Sequence, residues 1–140
     1  LLKDRNSLIL SPIEEVENEI RFLIDETETE VKIPLKLIFS KVTDISVASN
    51  KTIFVDADQL VFPLVIRKWN TGDVFMPFGM NGKSKKISKL FKDEKLSLIE
   101  KENTWLLCSN DQIVWVVGIR ADHRYRTSNT TKNILRIELI

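Results

Sequence analysis

Short segments of alternating apolar and polar residues, each closed by turn residues, dictate that most of this 140-residue chain folds as strands. The period of two is clearest in Glu30-Val31-Lys32-Ile33 and Leu35-Lys36-Leu37-Ile38-Phe39. Residues 52–56 read as another strand, followed at 57–60 by a tight connection or short helix. Residues 64–69 form a strand that stops at the turn Asn70-Thr71-Gly72-Asp73. Residues 105–108 and 113–117 flank Ser109-Asn110-Asp111-Gln112 as a hairpin. Residues 7–10, 19–24, 124–127 and 134–139 are also strand-like, and the acidic stretch 14–19 suits a helical turn. One clear helix is predicted over 86–95, where Ile87, Leu90, Phe91 and Glu94 share a face and Ser84 is the expected N-cap. A second, shorter one spans 98–102. The fold class is α+β, mainly antiparallel sheet with one or two helices packed on it.

Charge divides this sheet protein in two. Residues 1–60 hold twelve Asp/Glu against seven Lys/Arg, a net of −5. Residues 61–140 hold eight against fourteen, a net of +6, and the formal total of +1 hides the contrast. An acidic half joined to a basic half points to an anionic partner for the basic one. The basic charge is concentrated where Gly79 and Gly82 lead into Lys83, Lys85, Lys86, Lys89, Lys92 and Lys95, six ammonium groups in thirteen residues. Glycines let backbone N–H groups turn outward together, and lysines beside them make a surface for phosphate. A solvated helix face is the bland alternative.

Gly82-Lys83-Ser84 imitates the end of a nucleotide-binding loop, but the required first glycine is Pro77, which has no N–H to offer a phosphate. One cysteine and one histidine cannot make a zinc cage, and no acidic spacing resembles a calcium loop. Cys108 sits in an apolar run and reads as a small buried hydrophobe. His123, between Asp122 and Arg124, reads as a surface or RNA-facing residue more readily than a catalytic base. No self-contained active site and no metal site are expected. No apolar run reaches the roughly 18–20 residues of a membrane span and no signal peptide opens the chain, so a reducing, cytoplasmic setting is expected.

A second basic group, Gly118-Ile119-Arg120-Ala121-Asp122-His123-Arg124-Tyr125-Arg126, would place Arg124 and Arg126 on one face of a strand. Arginine pairs suit a phosphate backbone, while pairing with Asp73, Asp122 or Glu138 is the competing use. Arg67 and Lys68 extend the same surface; Trp69 and Phe78 serve either base stacking or the core.

Three motifs in order now carry a resemblance. Residues 67–80 (Arg67, then Gly72-Asp73, Phe75, Pro77 and Gly79-Met80), Lys85-Lys86-Ile87 with its helix, and Trp115-Val116-Val117-Gly118-Ile119-Arg120 with Arg124-Tyr125-Arg126 resemble the C-terminal region of tRNA(Ile)-lysidine synthetases. The likeness covers residues 63–140, and residues 1–62 look like the segment that precedes it. It implies two parts, a preceding subdomain at 1–62 and a tRNA-binding domain at 63–140. The family uses ATP, with magnesium, to adenylate the wobble cytidine of an isoleucine tRNA with a CAU anticodon and then ligates lysine to it. That chemistry belongs to an N-terminal domain with an S-G-G-x-D-S loop, which this sequence lacks, so the resemblance implies a non-catalytic segment that needs no cofactor of its own. It implies binding of tRNA near the acceptor stem; the anchors expected are Arg67, Lys85, Lys86, Arg120, Arg124 and Arg126, which match the family motifs, with Lys83 and Lys89 added from the basic surface. Gly72, Asp73, Gly79 and Gly82 would shape turns, Asp73 by orienting an arginine or capping an N–H. His123 stands where relatives commonly have an acid. The implied partners are the tRNA and the catalytic domain of the same chain. A scaffold or homodimerisation domain without RNA contact is the alternative reading.

Overall fold

The computed structural model describes residues 20–46 and 48–140. The strand expected at 7–10 and the helical turn at 14–19 lie outside the described residues. Among the described residues, eleven strands and two α-helices follow in chain order: β1 (Arg21–Ile24), β2 (Glu30–Val31), β3 (Leu37–Val42), β4 (Thr52–Asp56), β5 (Leu64–Lys68), β6 (Val74–Phe75), β7 (Lys85–Lys86), α1 (Ile87–Asp93), α2 (Leu98–Glu102), β8 (Trp105–Ser109), β9 (Gln112–Val116), β10 (Arg120–Ala121) and β11 (Ile134–Leu139). Every pairing is antiparallel. One sheet runs β1-β5-β8-β9-β10, a second β2-β3-β11-β4, and β6 and β7 form a separate ribbon. The α+β architecture expected from the alternation is therefore present.

Both large sheets draw strands from either side of residue 63. β1 pairs with β5, with Arg21 opposite Arg67, and the last strand, β11, lies between β3 and β4. Residues before 63 thus supply strands to the same two sheets as residues after it.

The alternation sets the layers. Leu64 and Ile66 of β5, Leu107 of β8 and Trp115 of β9 turn toward Leu37, Phe39, Ile53, Val55 and Ile137 of the four-stranded sheet, making the main core. The other face of β8 and β9 gives Leu106, Cys108, Ile113 and Val116, and these receive α1 through Ile87, Leu90 and Phe91. All three helix residues are fully buried, each contributing about 1.5–3 kcal/mol by removal of apolar surface from water. Burial also pushes the Cys108 thiol up to about 11, so it stays a neutral packing group.

Two sequence expectations are corrected here. The helix starts at Ile87, later than predicted, and Ser84 does not cap it. Lys85 and Lys86 are extended because they pair with Phe75 and Val74, and the first helical N–H, that of Ile87, donates to Asp73 O at 2.9 Å. Residues 124–127 are not a strand. Residues His123–Tyr125 form a 3-10 turn capped by Asp122, whose carboxylate accepts from Arg124 N.

Gly118 closes the connection from β9 to β10 with φ +82°, and a Cβ there would stand 3.3 Å from Leu139 Cδ2. The left-handed conformation alone costs an L-residue about 1–2 kcal/mol. Gly118→Ala should therefore lower the unfolding free energy by about that amount, read as an earlier urea midpoint. An unmoved midpoint would mean the turn relaxes freely.

Candidate nucleic-acid interface

Arg67 does not reach the surface. It is 8% exposed, and its guanidinium donates twice to Asp73, Nη1 to Oδ2 at 2.9 Å and Nη2 to Oδ1 at 3.1 Å, and also to Lys68 O. The same Asp73 accepts from Asn70 N at 2.7 Å. Gly72, at φ +94°, lets the chain reverse so that strand end and turn end face each other. This pair braces the turn from which α1 is hung through Asp73 O, and Trp69 packs edge-on against Phe91 of that helix, ring centroids 5.1 Å apart. The Asp73 carboxylate thus accepts from one guanidinium and from one backbone N–H.

The glycine loop is joined to the second basic segment. Phe78 N donates to Ala121 O, His123 N to Met76 O, and Met76 N to the Asp122 carboxylate. Gly79 and Gly82 both have positive φ. The amides of Phe78, Met80 and Lys83 are spent on carbonyls of the chain, so they are not part of an outward-facing row. Arg120 donates through Nε and Nη2 to Phe78 O, at 3.3 and 3.0 Å.

Arg124 and Arg126 part company. Arg124 clamps the buried Asp122, Nε to Oδ1 at 3.0 Å and Nη2 to Oδ2 at 2.9 Å. The carboxylate raises the arginine's pKa and holds its charge in place. Arg126 is exposed, and its guanidinium donates to His123 O at 2.8 Å, with no carboxylate partner among the described residues. His123 itself has a buried Nδ1 with no partner among the described residues. Of the arginines in residues 118–126, Arg124 pairs with one of the three acids named as competitors, Asp122; Asp73 pairs instead with Arg67 and Glu138 with Arg136.

The lysines divide in the same way. Lys85 and Lys89 both pair with Asp93, Lys89 at 3.4 Å as an i, i+4 pair. The hydrogen bond from Lys85, then the charges of Lys85 and Lys89, hold the Asp93 carboxyl below its ordinary 3.8. Lys83, Lys86, Lys92 and Lys95 are exposed and have no carboxylate partner among the described residues. Of the expected anchors, the structure thus presents Lys83, Lys86, Lys89 and Arg126 outward. Lys85 and Arg120 are half-buried, Arg124 is clamped, and Arg67 is internal.

Sequence reasoning missed one feature, a cavity of about 510 Å³ between β4 and the Phe78 loop. Its walls come from six separated stretches, so no local signal could have shown it. Among the described residues no three His, Cys, Asp or Glu converge as a metal site, and no helix is long and apolar enough to cross a membrane.

Fold and site together define an α+β domain in which one turn-and-helix unit, braced by buried arginine–carboxylate pairs, presents lysines that have no carboxylate partner among the described residues. The family model described as the TilS substrate C-terminal domain matches residues 64–139, and the chain belongs to that family. It is 45% identical over 144 residues to a tRNA(Ile)-lysidine synthase of Parabacteroides distasonis, a match that takes in all of this chain and 32% of the relative. It is 36% identical over 141 residues to that of Bacteroides thetaiotaomicron, covering 31% of it. The chain therefore spans about a third of the length of these relatives. A crystal structure of a TilS C-terminal domain superposes with TM-score 0.69 at 21% identity, covering 86% of this chain and 98% of the other, and it shows the same fold.

Proposed function

We propose that this domain is the tRNA-recognition part of a tRNA(Ile)-lysidine synthase and holds its RNA, near the acceptor stem, through the lysine-bearing turn and helix. The observation that carries the reading is the division of the lysines: Lys83 and Lys86 stand exposed with no carboxylate partner among the described residues, on a segment braced from behind by Arg67–Asp73. Cations that a fold keeps unpaired at the surface suit a polyanion whose phosphates they neutralise. In this reading the ligation of lysine to the wobble cytidine, with ATP and magnesium, is the work of an N-terminal catalytic domain of the same enzyme. The partners are then an isoleucine tRNA and that domain, in the cytoplasm, and this segment contributes no catalytic group. The family membership of the chain and the names of its relatives support this assignment.

Titration of a fluorescent isoleucine tRNA with this chain at several salt concentrations tests it. Log affinity should fall linearly with log salt, by about 0.7 to 0.9 for each phosphate neutralised. Absence of saturable binding at low salt would sink the RNA reading and favour a scaffold or self-association role, which sedimentation against concentration would reveal.

A further inference from the structure

We propose that the cavity between β4 and the Phe78 loop receives an unpaired nucleobase of the bound RNA, with Arg126 and Arg120 meeting the adjoining phosphates. The inference rests on the tRNA-binding reading and adds to it a second, chemically different contact.

The cavity, at about 510 Å³, is of a size that takes small organic groups. Its walls are largely apolar and aromatic, among them Phe54, Phe78, Trp115 and Tyr125, and Ser49, Asn50 and Thr127 also line it. Phe78 is 53% exposed although it is a large hydrophobe. Its backbone is fixed from two sides, by the N–H bond to Ala121 O and by Arg120 on its carbonyl. An exposed aromatic ring on an immobilised backbone is a stacking platform that gives up little conformational entropy on binding.

The electrostatics select among flat apolar guests. The lining contains two arginines not tied to a carboxylate among the described residues, Arg120 and Arg126, and Arg126 is exposed. The one acid in the lining, Asp122, is clamped by Arg124, so it does not cancel them. A cavity of aromatic and apolar walls with a cationic rim matches a base attached to a phosphate better than an aliphatic or cationic side chain. Bases inside a duplex cannot reach such a cavity; an unpaired one can. The cavity and the lysine turn are joined by one loop, with Phe78 at its start and Lys83 at its end.

The test compares tRNA, the same tRNA trimmed of its single-stranded 3′ end, and free AMP, against the wild-type chain, Phe78→Ala and Arg126→Ala. Phe78 is exposed, so its replacement leaves the fold intact, checked by an unchanged melting temperature. Phe78→Ala should weaken intact tRNA roughly tenfold, the size of one lost base stack, without changing the slope of log affinity against log salt. Arg126→Ala should weaken binding and also make that slope shallower. Trimmed tRNA that binds weakly and equally to wild type and Phe78→Ala supports the proposal and identifies the 3′ end as the source of the base. Trimmed tRNA that still distinguishes the two supports it with a loop base as the source, and AMP competing only against wild type supports it directly. Wild-type affinity and slope in both variants for intact tRNA would overturn this inference while leaving the lysine surface standing. Failure of the wild type to bind any tRNA would overturn the parent reading as well. Loss of self-association in Phe78→Ala, with RNA binding unchanged, would give the cavity to a protein contact and overturn it.

Discussion

Replacing Asp122 with alanine should cost the domain about 3 kcal/mol of stability, because removing one partner of a buried ion pair leaves the other charge and its donors uncompensated. The Asp122 side chain is fully buried. It accepts from Met76 N at 2.9 Å, from Arg124 N at 2.7 Å, and from Nε and Nη2 of Arg124 at 3.0 and 2.9 Å. Alanine would orphan all four donors at once. The Arg124 side chain, 29% exposed, can recover some hydration, which keeps the expected loss at the lower end of the range for buried pairs. At this chain length the melting temperature should fall by roughly 10 °C. Asp122→Ala/Arg124→Ala should then lose less than the sum of the single variants, since the stranded charge is gone. Urea denaturation of the three variants decides it. A loss below about 1 kcal/mol for Asp122→Ala would mean that water replaces the carboxylate, and that the clamp does not hold the two motifs together.

That clamp also shows where sequence reasoning stops. The strands at 37–42, 52–56 and 134–139 were legible because burial alternates along each, and those at 105–109 and 112–116 because both faces are buried, which leaves short apolar runs closed by turn residues. The helix face Ile87-Leu90-Phe91 was legible for the same reason at a period of 3.6. Local pattern fails where a contact from far along the chain decides. Arg124-Tyr125-Arg126 alternates like a strand, yet Asp122, held by Met76 N from 46 residues away, caps a 3-10 turn there instead. Lys85 and Lys86 belong to the helix by composition, but pairing with Phe75 and Val74 keeps them extended. Arg67 looked like a surface cation because its place at a strand end beside Lys68 matched the basic surface, whereas Asp73 folds back onto it. The signal was present in the opposite charge just beyond the turn glycine. The cavity had no such signal, since its walls meet only once both sheets are assembled.

The lysine surface leads to two results of opposite sign. Lys83→Ala/Lys86→Ala removes two exposed ammonium groups that have no carboxylate partner among the described residues. If each meets one phosphate, the slope of log affinity against log salt should become shallower by about 1.4 to 1.8, and affinity near 0.1 M salt should fall roughly 25- to 60-fold. Asp93→Ala should do the reverse. The Asp93 carboxyl titrates below its ordinary 3.8, so it is ionised throughout the neutral range and offsets Lys85 and Lys89 there. Removing it frees both lysines for phosphate and should tighten binding while steepening the slope. The cost to the fold is small, because the Asp93 side chain is 38% exposed and surface ion pairs contribute little. Damage to the fold could imitate the first result, since any unfolded variant binds less. It cannot imitate the second, because an unfolded domain does not gain affinity. If Lys83→Ala/Lys86→Ala and Asp93→Ala both bind as the wild type does, these lysines are solvated bystanders, and the arginine-rimmed cavity is left as the RNA contact.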